Sequence, residues 1–489
     1  MGVNWVLIAL LLISGWIIVF YVVTTLFKSH VSPYGPAILI RTQAGIKFIE
    51  KVSKWKFWDY FISFFYYAMP FLSAATVILL IYEAFLVLSI PRSSAIPLSY
   101  AIAIPVINPA IPIVYGVIGL VVAIALHEGA HGIAARRHNI TVRSTGLLWL
   151  IIPVGAFVEP DEEETKKAEP KVRGKIFAAG PGMNVALSVI FIVLSLLIAS
   201  TFVGVQGAPV QSSISPDFHQ GDIIESVNGV PVNNAGSLLN LSLNPGTYVN
   251  VTLLRSGHLL TERIMYGLYI VGTLAGYPAS KAGIKTGDVI ISLGNMSIRN
   301  ASALEQALSS YVAGQKVAVK VFNGSAFEVF NITLSSEYSY LKSQGIANPD
   351  VPANYPFMGI QIAVFGISTF DQFSYLSLLK NPFSAGPLGF FVYLALPFHF
   401  LLPLPSYLLP SIKASPFMLN MEYLFYWLFW LNFALGLTNI LPIVPLDGGY
   451  VLLNTPALQK NRRTRDAIVA AVSLIVLFLL IWEIVVPRI

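Results

Sequence analysis

The stretch Ile111–Arg137, IPIVYGVIGLVVAIALHEGAHGIAARR, joins a long apolar run to a short ionisable segment. A helix needs about 20 mostly apolar residues to span a bilayer, and this stretch is long enough. An ionisable side chain at membrane depth is costly and usually marks a functional site. The stretch therefore predicts an integral membrane protein with a polar site near the end of one span.

The segment HEGAH has the spacing of a metal site. With about 3.6 residues per helical turn, His127 and His131 lie one turn apart on one face, and two imidazoles so placed can share one Zn²⁺. Glu128 can take a proton from a metal-bound water and deliver it to a leaving amine. A plainer interpretation stays open, in which these are polar helix-end residues that reach water, since Arg136 and Arg137 follow closely.

The composition of the chain agrees with a membrane protein. Of its 489 residues, 55% are hydrophobic and 11% are charged, whereas soluble domains carry about 25% charged residues. Cysteine is absent, which excludes disulfides and leaves His, Asp, Glu and water as metal ligands. The formal charge of +6 comes from short basic loops beside apolar runs, which is typical of membrane orientation and does not indicate nucleic-acid binding.

Six apolar runs are long enough to span a bilayer, so we expect a polytopic α-helical membrane protein with about six transmembrane helices. The runs are Val3–Phe27, Tyr66–Ile90, Ile111–Ala135, Lys175–Phe202, Tyr423–Leu441 and Asp466–Val486. The first run lacks a basic leader and a small-residue cleavage site, which favours a retained helix or anchor. A seventh stretch, Gly386–Pro405, contains four prolines and is either a kinked span or a re-entrant segment.

Basic residues predict the orientation. Loops 28–65, 136–175 and 446–465 are rich in Lys and Arg, whereas loop 91–110 contains only Arg92. By the positive-inside rule, the three basic loops are cytoplasmic. We therefore expect a multi-pass protein of the cell membrane whose HEGAH site lies toward the cytoplasm, with the region after Phe202 outside.

That outer region contains an internal repeat. Residues 220–232, QGDIIESVNGVPV, recur as residues 286–298, TGDVIISLGNMSI, at an offset of 66 positions. Each copy predicts a Gly-Asp turn, a short strand, a second turn and a second strand. The copies resemble the PDZ domain, and PASKAGI at 278–284 strengthens the resemblance for the second copy. The resemblance implies peptide capture by strand addition, and the alternative is a generic β-domain that only spaces the membrane parts.

These observations divide the chain into four parts. We expect residues 1–204 to form an N-terminal membrane region with the HEGAH helix, to which the family resemblance described below adds a re-entrant hairpin, and residues 338–489 to form a C-terminal membrane region. Between them we predict a PDZ-like domain at 205–266, complete or partial, and a PDZ domain at 267–337.

A catalytic zinc needs a third protein ligand and an open position for water. Asp447 follows the span Tyr423–Leu441, and the predicted topology places it at the same membrane level as HEGAH, which makes it the better candidate. Glu159 is a second possibility. His138 is a poor one, because the longer HExxH pattern would need histidine at position 137.

Three motifs in this order resemble the site-2 protease family of intramembrane metalloproteases, peptidase family M50. They are HEGAH late in an apolar helix, GPGMN at 180–184 in the next helix, and the pattern from Asn439 through Pro442 to Asp447-Gly448 in a later one. The segment Gly155–Pro160 also resembles the membrane-inserted hairpin of that family. Such a hairpin offers an edge for strand pairing with a substrate.

The resemblance implies a zinc-dependent endopeptidase that cleaves transmembrane segments of membrane proteins. The implied site residues are His127, His131 and Asp447 as zinc ligands, Glu128 as general base and acid, and Asn184 and Asn439 as substrate-positioning residues. The alternative for the two asparagines is hydrogen bonding to neighbouring helix backbones.

The expected partners are a transmembrane protein substrate, peptide or protein segments at the PDZ domains, and the lipid bilayer, with no nucleic acid. Two other classes stay open. A transporter could hold ionisable residues in broken helices, and a membrane-anchored PDZ scaffold would need no catalysis.

Overall fold

The computed structural model describes residues 5–27, 31–43, 45–89, 97–105, 107–150, 152–344, 350–399 and 401–488. Val3 and Ile90, at the ends of two predicted spans, and the loop residue Arg92 lie outside these ranges. The chain folds into two compact units. The first unit comprises Met1–Ser195 and Asn420–Ile489, and the second comprises Leu196–Leu419.

The first unit is mainly helical. Numbered along the chain through both units, its helices are α1 (Trp5–Leu26), α2 (Ile46–Ser53), α3 (Phe57–Leu86), α4 (Ile113–Arg137), α5 (Glu162–Lys167), α6 (Pro170–Ala199), α13 (Pro416–Ile440), α14 (Asp447–Leu453) and α15 (Arg462–Val485). The helices α7 to α12 belong to the second unit. The HEGAH segment lies within α4, as its spacing predicts.

Four helices among the described residues are long and apolar enough to cross a membrane. They are α3, α4, α6 and Arg462–Arg488, which contains α15. Shorter apolar helical stretches are Ile13–Leu26 and Gly389–His399. The helix α13 covers most of the predicted span Tyr423–Leu441, but it is rich in Tyr, Trp and Asn, which are less hydrophobic than aliphatic residues. The total of six spans therefore stays a prediction.

A four-stranded antiparallel sheet completes the first unit. Its strands, in spatial order, are β1 (Val31–Tyr34), β2 (Ala37–Thr42), β3 (Val142–Leu150) and β4 (Ile152–Pro160). The strands β3 and β4 form a hairpin over the segment where the sequence resemblance placed one. Within the described residues β4 pairs with β3 alone, so it is an edge strand.

Small residues bring α4 close to β4. Ala130 and Ala134 are buried in the cluster that Val158 packs against. A Cβ at Gly132 would lie 2.8 Å from Val158 Cγ1, so glycine is required for this approach. The close approach places the edge strand beside the polar end of α4.

The second unit contains short helices and two six-stranded sheets. Its helices are α7 (Ala235–Leu239), α8 (Pro278–Ala282), α9 (Ala301–Ser309), α10 (Glu337–Ser343), α11 (Gln372–Lys380) and α12 (Gly389–Ala395). Its strands are β5 (Val203–Gly204), β6 (Ala208–Ser213), β7 (Ile223–Val227), β8 (Val230–Pro231), β9 (Tyr248–Arg255), β10 (His258–Met265), β11 (Leu268–Thr273), β12 (Val289–Leu293), β13 (Met296–Ser297), β14 (Lys316–Phe322), β15 (Phe327–Thr333), β16 (Ser335–Ser336), β17 (Pro356–Phe357), β18 (Ile360–Val364), β19 (Ile367–Thr369) and β20 (Ile412–Lys413).

The two sheets are built alike. The first has the order β10-β9-β7-β6-β19 with β8 on β7, and the second has the order β15-β14-β12-β11-β18 with β13 on β12. The repeated motif also forms the same turn twice. Asp222 accepts a hydrogen bond from the His219 N–H at 2.8 Å, and Asp288 accepts one from the Lys285 N–H at 2.9 Å.

Each sheet ends on a strand from beyond residue 337, where the sequence placed the end of the second repeat domain. The strand β18 joins the second sheet, and β19 joins the first. These strands carry no copy of the repeated motif, and their pairing is non-local, so the repeat did not indicate them.

The two sheets share one hydrophobic core, in which the rings of Tyr266 and Phe365 lie 5.4 Å apart. The boundaries at 204 and 266 stay predictions.

Candidate metal centre

Three possible ligands meet where α4 approaches the start of α14. His127 Nε2 lies 3.1 Å from His131 Nε2. Asp447 Oδ2 lies 3.1 Å from His127 Nε2 and 3.3 Å from His131 Nε2. All three side chains are largely buried, with exposed fractions of 7%, 12% and 13%. Within the described ranges this is the one group of His, Asp and Glu residues close enough to hold a metal ion.

The spacing of these donor atoms fits Zn²⁺. A tetrahedral zinc with bonds of about 2.0–2.1 Å separates neighbouring ligand atoms by roughly 3.3–3.4 Å. The three observed separations, 3.1, 3.1 and 3.3 Å, form a triangle of nearly that size. Two imidazoles and one carboxylate also match a catalytic zinc site, which leaves the fourth position open.

The Pro-rich linker between α13 and α14 places Asp447. The helix α13 ends at Ile440, and α14 begins at Asp447 itself. A Cβ at Gly449 would lie about 2.5 Å from Ile443 O, so this turn needs glycine to pack against the preceding backbone. Burial by itself raises the pKa of the Asp447 carboxyl, but the neighbouring His131 and His127 hold that pKa below its ordinary value. That lowering comes from the histidines in their charged form, and a bound metal cation would favour the ionised carboxylate in the same way.

A backbone carbonyl fixes the tautomer of His131. Its Nδ1 lies 2.7 Å from the carbonyl oxygen of Ile176 in α6. A carbonyl only accepts hydrogen bonds, so Nδ1 carries the proton and donates it. The lone pair of Nε2 then faces His127 and Asp447, which is the usual arrangement of a metal-bound histidine.

Asn184 contacts the other ligand. Its side-chain amide lies 3.1 Å from His127 Nδ1, and the residue is fully buried. Its Oδ1 has no hydrogen-bond partner among the described residues. Rotating the amide by half a turn directs Oδ1 at His127 Nδ1, where it accepts a hydrogen bond from Nδ1–H and leaves Nε2 available to a metal. Asn184 thus touches a candidate metal ligand directly.

Asn439 is placed differently. Its Nδ2 donates a hydrogen bond at 3.1 Å to the Leu435 carbonyl, one turn earlier in α13. The contact is thus to the backbone of its own helix, whereas the alternative named neighbouring helices, and Asn439 is half-buried. A substrate-positioning role for Asn184 and Asn439 stays a prediction.

Glu159, the other possible third ligand, points elsewhere. Its carboxylate accepts a hydrogen bond from Ser144 Oγ and lies 3.5 Å from Arg41 Nε. His138 contacts the carbonyl of Ala134 in its own helix, at 2.9 Å. The structure therefore brings Asp447 to the two histidines and leaves Glu159 and His138 outside the group.

Glu128 stands between the ligands and the edge strand. Its Oε2 accepts a hydrogen bond from the Val158 N–H at 3.3 Å. Glu128, His131 and Asp447 also line a cavity of about 720 Å³. Val158 and Pro160 of β4 form another part of its wall, and Phe177 stacks on Tyr450 at 4.6 Å in a third part. A carboxylate in this position can exchange protons with a water molecule in the cavity.

Two features of the site were not predicted from the sequence. A Cβ at Gly180 would lie 2.7 Å from His127 Nε2 and closer still to His131 Nε2, so any side chain there would intrude on the ligands. Gly180 belongs to the GPGMN motif, but the motif alone did not indicate this contact. Arg173 lines the cavity, and no sequence pattern pointed to it.

Comparison with known proteins gives a family match over most of the chain. Residues 115–482 match Peptidase family M50. An uncharacterized protein of Methanocaldococcus jannaschii is 30% identical over 256 residues, which cover 51% of this chain and 68% of that protein.

Two further relatives are named as proteases. The Neisseria meningitidis protein named "Putative zinc metalloprotease" is 28% identical over 233 residues, covering 35% of this chain and 51% of that protein. The serine protease Do-like HtrA of Lactococcus lactis is 30% identical over 84 residues, covering 17% of this chain and 21% of that protein. This chain thus spans about half of the Neisseria protein and about a fifth of the Lactococcus protein.

Proposed function

Because this chain belongs to peptidase family M50, the site-2 protease family of zinc metalloproteases, we propose that it is an intramembrane endopeptidase that cleaves transmembrane segments of other membrane proteins. The observation that carries the proposal is the group of His127, His131 and Asp447 beside Glu128. His127, Glu128 and His131 lie in the last turns of α4, one of the helices apolar enough to span a membrane, and Asp447 begins α14. Cleavage of a soluble peptide would not require these residues to lie in a membrane-spanning helix, whereas cleavage of a membrane-embedded segment would.

The chemistry follows from the residues of the site. When bound, Zn²⁺ lowers the pKa of a water molecule and polarises a peptide carbonyl. His127, His131 and Asp447 would hold the ion. Glu128 takes a proton from the attacking water and delivers it to the leaving amine, because its carboxylate lines the same cavity. The hydrogen bond from Val158 N–H keeps Glu128 oriented toward that position.

The edge strand β4 supports a way of presenting the substrate. A transmembrane helix hides its carbonyls in internal hydrogen bonds, so the cleaved segment must become extended first. The Val158 N–H donates to Glu128 and so points away from β3, and alternation along the strand directs the Ala156 N–H to the same side. A substrate strand added there would pass directly beside Glu128.

Charge patterning supports the orientation proposed for the chain. The basic loops favour a cytoplasmic position for the polar end of α4, with the second unit outside the membrane on the other side. The shared strand order and the repeated aspartate turn support a PDZ-like tandem in that unit. Such a tandem would bind peptide segments of substrates and act as a tether or a size filter.

The central experiment compares wild type with Glu128→Gln on a single-span substrate in reconstituted vesicles. We expect the variant to lose about 10²- to 10⁴-fold in cleavage rate, the usual contribution of general acid–base catalysis. Glu159→Gln is the matched control, since that carboxylate bonds Ser144 and Arg41 and should keep its rate. Equal cleavage by wild type and Glu128→Gln would refute the proposal. A transporter or a PDZ scaffold predicts no cleavage by any of the three proteins.

The third ligand has its own test. We expect bound zinc, measured by elemental analysis of the purified protein, to be lost in Asp447→Ala and retained in Glu159→Ala. The reverse pattern would assign the ligand to Glu159.

A further inference from the structure

Arg173 stands out among the charged groups around the active-site cavity. It lies in the first turns of α6, is half-buried, and lines the cavity that also holds Glu128, His131 and Asp447. The chemistry proposed above for the site does not use it. Its charge and position invite the question of which group it binds.

Neutral acceptors hold the Arg173 guanidinium in place. Its Nε donates to Asn454 Oδ1 at 2.7 Å, and its Nη1 donates to the Lys166 carbonyl at 2.9 Å. Asn454 is itself buried and fixed, because its Nδ2 donates to the Tyr450 carbonyl at 2.8 Å. The guanidinium carries five N–H groups, so three are left for a ligand.

Arg173 has no carboxylate of the described chain within ion-pair distance, in contrast to most arginines of the first unit. Among the described residues it forms no ion pair. Six other arginines of this unit do: Arg41, Arg136, Arg137, Arg143, Arg462 and Arg465. A half-buried arginine that is held by neutral groups keeps its full charge available to a ligand.

The other lysine and arginine that line the cavity each have a carboxylate partner. Lys166 lies 3.1 Å from Glu162, and Arg465 lies 2.8 Å from Asp466. The two carboxylates at the centre of the cavity, Glu128 and Asp447, belong to the catalytic group. Among the described residues Arg173 is therefore the one lining lysine or arginine without an ion pair, and its guanidinium favours an anion of carboxylate or phosphate type.

The path of a bound substrate indicates where such an anion would come from. The strand β4 lines the cavity with Val158, beside Glu128, and with Pro160, two residues further on. A substrate strand paired with β4 advances about 3.3 Å per residue. Arg173 lies about one helical turn before Ile176, whose carbonyl contacts His131, so a substrate side chain that reaches Arg173 belongs to a residue roughly two to four positions from the scissile bond.

We propose that Arg173 binds an Asp or Glu side chain of the substrate, located about two to four residues from the scissile bond on the polar flank of the cleaved segment. This inference rests on the proposed protease function. It names a substrate class: transmembrane segments with an acidic residue just beyond the apolar run. Three N–H groups of Arg173 can form charge-assisted hydrogen bonds to that carboxylate.

The test uses the full protein in vesicles of neutral phosphatidylcholine, with single-span substrates that differ only in Asp or Asn at the flank positions. We measure kcat/KM for wild type, Arg173→Gln and Arg173→Lys. We expect wild type to prefer Asp about tenfold, the size of one hydrogen bond to a charged group. The ratio of kcat/KM for the Asp substrate to kcat/KM for the Asn substrate should fall to about one in Arg173→Gln. It should recover in part in Arg173→Lys, which retains the charge.

Two controls keep the result interpretable. Arg463→Gln removes an exposed arginine of the same unit and should retain the tenfold ratio. Bound zinc is measured in every variant, so that misfolding is separated from a loss of recognition. Cleavage of the Asn substrate by wild type and not by Glu128→Gln establishes the protease function independently of Arg173.

Specific outcomes would overturn the inference. One is equal cleavage of Asp and Asn substrates by wild type, and another is an unchanged Asp preference in Arg173→Gln. A third uses vesicles that contain anionic phosphatidylglycerol. If that lipid raises the rate in an Arg173-dependent way and acidic substrates do not, the anion is a lipid headgroup and the substrate assignment is wrong.

Discussion

Substitution of Gly180 by alanine tests the metal centre most directly. Gly180 lies in α6 and faces both histidine ligands, and a Cβ there would lie 2.7 Å from His127 Nε2. Ordinary van der Waals contacts of a Cβ begin at 3.4 Å. The histidine nitrogen must therefore retreat by about 0.7 Å, whereas zinc–ligand distances are held within about 0.2 Å.

That displacement sets the expected loss of zinc affinity. Changes to groups that only support metal ligands cost about 10- to 100-fold in metal affinity. A methyl group that displaces the ligand atoms themselves should lower zinc affinity by at least the upper end of that range, about 100-fold, which corresponds to about 2.8 kcal/mol of binding free energy. Alanine also favours a helix over glycine by about 0.5–1 kcal/mol, so Gly180→Ala should not lose helicity on local grounds.

The assay is chelator competition for Zn²⁺ on the purified protein. Gly129→Ala is the matched control, because Gly129 lies next to Glu128 in α4 and a Cβ there meets nothing within 4 Å. We expect the control to bind zinc as wild type does. Zinc affinity of Gly180→Ala within about twofold of wild type would refute the reasoning, since it would show that the histidines are not ligands in this arrangement.

Three further predictions follow from the same contacts. Asn184→Leu removes the hydrogen-bond partner of His127 and should weaken zinc binding about 10- to 100-fold in chelator competition. Asn432→Leu, at another buried helix asparagine, is the control and should leave zinc binding unchanged, so equal losses in the two variants would contradict a specific role of Asn184. Zinc at about 1,000 times its Kd should raise the free energy of unfolding by about 4 kcal/mol in denaturant titration. If zinc stabilises Asp447→Ala by the same amount, Asp447 is not a zinc ligand. Arg255→Met removes two hydrogen bonds, of 2.9 and 2.7 Å, to the buried carboxylate of Asp222. The free energy of unfolding, measured by hydrogen exchange in the first sheet, should therefore fall by about 3 kcal/mol, and a fall below about 1 kcal/mol would contradict this prediction.

Local periodicity made part of the site predictable. His127 and His131 are four residues apart in an apolar stretch, and helical geometry alone then places them on one face. The repeated Gly-Asp motif likewise predicted a strand and a turn in each copy, which became β7 and β12 with the same aspartate turn. In both cases the pattern and the structure it predicts lie within a few residues of each other.

Other parts of the fold depended on pairings that the repeat did not mark. The strands β18 and β19 close the two sheets from beyond the predicted domain boundary, and their sequences carry no repeated motif. Asn184 was predicted as a substrate-positioning residue, yet it lies against His127, because α6 packs on α4 at that level.

The sequence by itself determined a helical membrane protein with two histidines and a glutamate at one helix end, because helical period and apolar length are local properties of the chain. It left Asp447 and Glu159 open as the third ligand, and it did not indicate the roles of Gly180 or Arg173. The tertiary structure alone brings Asp447 to within 3.3 Å of His131 although 316 positions separate them, leaves Glu159 outside that group, and places Gly180 against the histidines and Arg173 in the cavity wall. The physical reason is that a metal site closes through distances between elements, which depend on how helices and strands pack and are not encoded in the spacing along any one of them.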